Sequence, residues 1–581
     1  MSGKLTYIYS GIQLLTMMFL FWITLLPVEA RWAEGDVMVM QLCVAACGIG
    51  LLTLVHGTKP RFTLTDILVL LWTTYYIGRE YIGGEYACAT EWLKAISLCV
   101  LYYSLRVLFH DTRLSACWLV IGITLCGCYE SLMGLQQIMC GTSRHPVFAI
   151  TGTFQNPGPY SAYLMLALVV GTVVWQKCKD LQLDSECPKF LPEGVKDKLA
   201  KVKIGHLIIL VLLPLCVILP ATWSRAAFVS LTTIMMWILR NSYWRYRYAV
   251  WGICILAAIA LYVIKQGSAD GRFIIWNAAI TTWSETPWFG VGAGGFRHAV
   301  GEGISILHQQ CTDLSGAGVT DYAYNIIVKI IVEQGIMGLL IAVTLGITAL
   351  TKLRHTSRPL FYGMISLVIF SMFSYPFDLL PYKVLLILTI AWSESVGKEM
   401  QYKIGRMKVI LVMCIVLPNS WYIYGKVNDR YEADSSYSLF RGLKDEVFIK
   451  DYYELLPLEN DNPEFLFDFG KILREHGRYN DSNAALYKGT RCSADPMFYV
   501  LIGNNYRDMS QYELTEESYC KAFSMMPNRL YPLYQLMMMY NDNGKIKKAK
   551  EMAKRVLSFK PKIESPATRE MKDSARVIKS M

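Results

Sequence analysis

No two cysteines in this 581-residue chain stand as CxxC, and no cysteine–histidine cluster has the spacing of a metal site. The 16 cysteines are scattered, many of them in apolar runs such as QLCVAACGIG and GITLCGCYE. There they read as small core residues, which argues against a disulfide framework. Charge is also scarce: Asp, Glu, Lys and Arg make up 18% of the residues and hydrophobic types 54%, with a mean hydropathy of +0.31. That is too apolar for an ordinary soluble protein and fits a polytopic membrane protein. The net charge of +11 does not indicate nucleic-acid binding, because much of it sits in short segments between apolar runs, where it sets membrane orientation. The first apolar run, 8–27, lacks a small-residue cleavage site and is read as a retained span.

What is present is a series of stretches able to span a bilayer. They lie at 8–27, 37–56, 64–79, 92–109, 115–138, 159–176, 204–220, 226–240, 248–264, 323–351, 360–378, 382–395 and 407–424. The expected fold is an all-α polytopic bundle of about 12–13 spans, followed by a C-terminal α-solenoid. Connecting segments alternate in charge. Those around Lys59, Arg106, 177–203, 240–247, 352–358 and 398–408 are basic; the others are poor in lysine. The positive-inside rule makes the basic set cytoplasmic. The loop 265–322 and everything after the last span are then external, in an inner-membrane protein.

Beyond residue 426 the composition turns polar, so the domains are drawn at 1–426 and 427–581. A weak period of about 33–34 residues runs through 463–562. Gly470 matches Gly503; Tyr479 matches Tyr512 and Ile546; Pro496, Pro527 and Pro561 close successive units. This resembles tetratricopeptide repeats, a solenoid with a concave binding surface.

Four stretches stand out on the external side: TGTFQNPGPYSAYL, TWSRAAF, DGRFIIWNAAITTWSETPWFGVGAGGF and DYAYNIIVKIIVEQGIMGLL. Asn156 in the first is placed to cap a helix or bind sugar hydroxyls. Arg272, Trp276 and Ala279 recur at helical spacing, as in a helix lying along the membrane surface. GVGAGGF is not a nucleotide loop, since it lacks the strand–turn–helix setting and the lysine that loop requires. In the last stretch Lys329 and Glu333 stand four apart and are expected to pair. TGTFQNP, WSRAAF, GRFIIWNAAI…TPWFGVGAGGF and YNIIVKIIVEQGIMGLL, in that order within 151–340, together resemble the O-antigen ligase family of integral-membrane glycosyltransferases.

The resemblance implies a glycan on a polyprenyl pyrophosphate, moved en bloc to an acceptor hydroxyl of a lipid A core sugar, a protein Ser/Thr or a growing glycan. It implies no nucleotide, cofactor or metal. Arg225 and Arg272 match the family's two arginines, and guanidinium suits a pyrophosphate leaving group because it forms bidentate, charge-assisted bonds and stays protonated. The family's last motif opens His–Asn, but here Tyr324 stands where that histidine belongs. A phenol with a pKa of about 10 cannot take over a base near pH 7. Three readings follow: Tyr324 orients the acceptor, Asp321 is the base with Tyr324 as relay, or His298 folds back to fill the place. Asn156, Trp276, Gly292, Arg297, His298 and Asn325 are the candidate substrate-binding residues, and the repeats are expected to receive a protein partner. Competing readings are a polymerase of the same superfamily, a lipid-linked sugar flippase, and a non-catalytic scaffold. The polar motifs concentrate at one face and no repeat relates the halves of the membrane region, which argues against transport.

Overall fold

The computed structural model describes residues 3–26, 61–81, 89–109, 114–143, 145–179, 203–240, 244–264, 266–310, 314, 318, 320, 322–396, 402–403, 406–443, 445–561 and 564–581. The span expected at 37–56 and the candidate base Asp321 lie outside them. The described residues are helical throughout, apart from their connecting turns and a two-residue antiparallel pairing of Arg61 with Lys403 and Phe62 with Tyr402. The membrane region comprises α1 (Gly3–Thr24), α2 (Leu64–Tyr81), α3 (Ala89–Leu108), α4 (Leu114–Cys140), α5 (Pro157–Cys178), α6 (Ile204–Ala221), α7 (Arg225–Ile238) and α8 (Arg247–Ile264). Next come α9 (Gln266–Trp283), α10 (Phe296–Gln309), α11 (Ile326–Thr356), α12 (Arg358–Ser371), α13 (Leu380–Ser395) and α14 (Arg406–Phe440). Among the described residues four helices are long and apolar enough to cross a membrane: Cys117–Cys140, Pro157–Cys178, Ile204–Ala221 and Ile326–Thr356.

α5 is the central post. It is apolar all round, which suits a helix enclosed by others; Tyr160, Tyr163, Leu164, Leu166 and Val170 are fully buried, and α4, α6, α7 and α12 surround it. Its start is fixed from α4. Gln137 accepts the N–H groups of Thr151 and Gly152, each at 2.8 Å, and Glu130 accepts the Thr153 N–H at 3.1 Å. Gly152 has φ +57°, and a Cβ there would meet the Tyr160 ring at 2.3 Å. The first motif is therefore a clamped turn that aims the N-terminus of α5. A buried ion pair ties α2 to α3: Arg106 donates to both oxygens of Asp66, at 2.8 and 3.0 Å, with Tyr102 adding a third bond at 2.7 Å. Bidentate geometry with extra donors is what makes such a pair tolerable in a core.

The segment 323–351, expected to be one continuous span, is broken. At Gly335 (φ +66°, ψ −170°) the helical path of α11 is interrupted. The carbonyls of Val332 and Glu333 accept N–H bonds from Val291 and Gly292, at 2.9 and 3.0 Å. The N–H groups of Ile336 and Met337, which an intact helix would direct to those same carbonyls, donate instead to Pro287 and Trp288, at 3.0 and 3.2 Å. The glycine turn of the third motif thus replaces two helical bonds with four bonds to another segment. From α2, the Arg79 guanidinium donates to the Gly290 carbonyl at 2.8 Å. Beyond the break, Ile336 to Thr356 is 21 residues, about 32 Å at 1.5 Å each, one bilayer core. Lys329 and Glu333 fall in the short helical piece before it.

The C-terminal region is a succession of helical hairpins: α15 (Phe448–Glu459), α16 (Pro463–Glu475) with α17 (Tyr479–Cys492), α18 (Met497–Asp508) with α19 (Tyr512–Met525), α20 (Tyr531–Asp542) with α21 (Ile546–Ser558), and α22 (Pro566–Ser580). Tyr479, Tyr512 and Ile546 each open a second helix. Gly470 and Gly503 sit where a Cβ would meet Leu486 and Tyr519, each at 2.5 Å. The boundary drawn after residue 426 falls inside α14, which runs unbroken into the repeats.

Glu459, 2% exposed at the end of α15, has its carboxyl pushed up to about 7 by burial, against the opposing pull of the Asn462 amide and the Arg430 charge. The folded value lies above the unfolded 4.5, so the folded state holds the proton more tightly. This stabilisation is full below pH 4.5 and is lost as pH rises through 7, roughly 3 kcal/mol in all. Urea unfolding of the intact protein at pH 5.5 and 8 should show the repeats more stable at the lower pH, and Glu459→Gln should remove most of that difference. A difference that survives the substitution would assign it elsewhere.

Candidate active site

Three motifs meet at one end of the bundle. Arg225 opens α7, behind Ser224, whose hydroxyl accepts the Ala227 N–H at 3.3 Å. Arg272 lies on α9, half-buried, and donates to the Phe373 carbonyl at 2.6 Å. Its guanidinium carbon stands 4.8 Å from the centre of the Tyr324 ring, a cation–π contact. Burial, then the neighbouring charge of Arg225, hold the Arg272 guanidinium below its usual range. Arg272 thus lies within electrostatic range of Arg225. The partners seen for Arg272 among the described residues are a carbonyl and an aromatic ring, not a carboxylate.

Tyr324 sits at φ +52°, an uncommon conformation for a bulky residue. It is held there by aromatic contacts. Tyr322 stacks on Tyr375 with centroids 3.8 Å apart and planes 10° apart, and Tyr324 meets Tyr375 edge-on at 5.3 Å. Trp276 donates its indole N–H to the Ala323 carbonyl at 2.7 Å, tying α9 to the segment before α11. Asn325 then caps α11, accepting the N–H groups of Ile327 and Val328 at 2.9 and 3.2 Å.

A small cleft opens here, lined by Tyr324, Asn325, Lys329, Ser374, Tyr375 and Asp378 among others. Lys329 forms an ion pair with Asp378 across it. The ion-pair partner of Lys329 is thus Asp378 rather than the expected Glu333. Asn156 caps α5 by accepting the Gly158 N–H at 2.8 Å, and a Cβ on Gly158 would lie 3.6 Å from the Ser374 hydroxyl. The N-terminus of α5 therefore borders the cleft that the N-terminus of α11 helps to line. Helix N-termini carry partial positive charge and favour anions.

Of the residues singled out from the sequence, Arg225, Arg272, Tyr324 and Asn325 come together, with Trp276 behind them and Asn156 at the border. Gly292 is in the stitched turn, where its N–H serves Glu333. Arg297 is half-buried on the first turn of α10. His298 is buried against the repeats, its Nδ1 2.9 Å from the Thr490 carbonyl, so it is directed toward the solenoid rather than the cleft. Tyr375 and Asp378 are new to the site: SYPFDLLPYK carries no spacing that marks it in the sequence.

One arginine stacked on Tyr324 beside a tyrosine-lined cleft, a second within electrostatic range of it, and capped helix N-termini nearby make this end of the bundle favourable to an anion. The family model described as O-Antigen ligase matches residues 209–343, which include both arginines, the stitched glycine turn and the first part of α11, and this shows the O-antigen ligase family for that segment. No curated protein sequence matches the chain. The chain thus carries, within its membrane region, a segment similar to O-antigen ligases.

Proposed function

We propose that the protein transfers a glycan from a polyprenyl-pyrophosphate donor to an acceptor hydroxyl at the outer face of the cytoplasmic membrane. The observation that carries this is the proximity of Arg225 to Arg272, without a carboxylate on Arg272. Two guanidiniums in electrostatic range of each other favour an anion between them, and pyrophosphate, with several charges and fixed oxygen spacing, matches two guanidiniums. As the acceptor oxygen bonds to C1, the bond from C1 to the phosphate oxygen breaks and its electron pair leaves with the pyrophosphate. The arginines and helix N-termini stabilise that growing charge.

The acceptor proton needs a destination. Asp378 lines the cleft and Lys329 orients it, so its carboxylate is our first choice; Asp321 is the second. Tyr324 serves through its ring, which carries Arg272 and abuts Tyr375. On this reading Tyr324→Phe keeps transfer within about tenfold of wild type, whereas Asp378→Asn lowers it by about 10²–10⁴. The assay follows product formation by purified protein given lipid-pyrophosphate glycan and candidate acceptors. Loss with Asp321→Asn and retention with Asp378→Asn would move the base to Asp321. Full activity in both would remove the carboxylate from the mechanism. The solenoid, read as tetratricopeptide-like, presents the acceptor, and a protein or other large acceptor suits a surface of that size.

A further inference from the structure

The end of the chain reverses the charge of the repeats. Residues 427–544 carry twelve lysines and arginines against nineteen acids; residues 545–581 carry twelve against four. α21 and α22 bury Ala549, Ala553, Val556 and Ile578 in the solenoid and leave Lys545, Lys547, Lys554, Lys560, Arg569 and Lys579 exposed. Acid neighbours engage few of these charges: Lys548 pairs with Glu516 at 3.5 Å and Arg576 with Asp573.

The side on which this charge sits follows from how the repeats are seated. α17 and α19, second helices of their hairpins, face α10. His298 meets Thr490, Glu302 pairs with Lys521 at 2.6 Å, and the Ser305 and Ser524 hydroxyls lie 2.8 Å apart. α10 rests on α9, where the Thr282 hydroxyl donates to the Ala299 carbonyl at 2.7 Å, and α9 rests on α11 of the bundle. α21 is the next second helix in the series. Its Arg555 lies over the Phe523 ring, which meets His308 in the last turn of α10 at 5.4 Å. α21 therefore continues the row of second helices that faces α10 and the bundle, past the end of that seat.

We propose that the basic α21–α22 pair rests on anionic phospholipid headgroups, a second membrane attachment for a domain otherwise held by α14 and α10. Nine of the twelve basic residues are lysines. A compact charge on a flexible stem suits a fluid headgroup layer with no fixed geometry, whereas the planar fork of arginine suits defined sites. The bilayer is also always at hand, since the same chain spans it, so attachment is intramolecular in effect. Its range is a Debye length, about 8 Å at physiological salt.

The test is lysine acetylation of the full-length protein in nanodiscs, read by mass spectrometry. One set of discs is phosphatidylcholine and the other contains about a third phosphatidylglycerol. In the anionic discs, labelling of Lys547, Lys554 and Lys560 should fall about tenfold and recover near 1 M salt, where screening is nearly complete. Lys450, whose side chain is 84% exposed on the acidic part of the repeats, should label equally in both. Equal labelling of the three lysines in the two discs overturns the proposal, as does protection that survives high salt. Protection produced in neutral discs by added inorganic phosphate would instead make this a soluble-anion site. None of these outcomes depends on the reaction at Arg225 and Arg272.

Discussion

Arg272→Ala is expected to reduce glycan transfer by about 10²–10³, the usual effect of removing one preorganised charge donor from a developing oxyanion. The loss should fall mainly on kcat, because the leaving group gains most of its charge as the C1–O bond breaks. Arg272→Lys should recover little. Lysine keeps the charge but cannot donate at once to the Phe373 carbonyl and to a phosphate in the fixed fork that guanidinium provides. Arg225→Ala should be comparably damaging, and the double variant barely worse than either single one, since the two act on one pyrophosphate. Transfer assays on the three variants, with thermal unfolding to verify folding, would check this. Wild-type rates in Arg272→Ala would remove the pyrophosphate assignment altogether.

The second large effect concerns folding. Gly335→Ala and Gly290→Val should each cost roughly 3–5 kcal/mol or abolish folded protein. Gly335 occupies a backbone conformation open almost only to glycine, and a Cβ there would stand 2.3 Å from the Trp288 carbonyl oxygen. On Gly290, at φ +70°, a Cβ would stand 2.4 Å from the Val332 carbonyl oxygen. Both obstacles are backbone, which cannot swing aside as a side chain can. At Gly346, further along α11, an added Cβ would meet nothing within 4 Å. Gly346→Ala is the matched control, expected within about 0.5 kcal/mol of wild type or slightly better. Yield of monodisperse protein in detergent and its melting temperature provide the measurement. Normal melting of Gly335→Ala would show the break to be dispensable.

What the sequence disclosed, and what it hid, divide along the range of the interactions. Arg225, Arg272 and Tyr324 could be found because each sits in a linear motif of recognisable order. Asn156 could be seen as a candidate for capping or sugar binding and Asn325 for substrate binding, and local geometry shows both capping helices. Tyr375 and Asp378 could not be found, since their significance lies in a ring stacked on Tyr322 and an ammonium from Lys329, each about fifty residues away in the chain. Helical spacing offered Glu333 to Lys329, but tertiary neighbours chose Asp378. The break at Gly335 was hidden because hydropathy counts apolar residues and is indifferent to the path of the backbone. The helical period of the repeats was legible because packing of the two helices within each hairpin imposes it, through Gly470 against Leu486 and Gly503 against Tyr519. Their seat on α10 was not, because His298, Glu302 and Ser305 look like ordinary loop and helix residues until Thr490, Lys521 and Ser524 arrive.

The stitched break also orders the birth of the molecule. Residues 287–292 leave the ribosome before residues 332–337, so the donor and acceptor groups of the turn wait for α11. Without the turn, α11 can satisfy itself as an unbroken rod; with it, the rod must give up two internal bonds to gain four. The cleft at the head of α11 therefore cannot be completed until residues 332–337 have been made. A chain altered in the turn would leave α11 the two helical bonds it otherwise gives up, and the cleft without the segment that closes it.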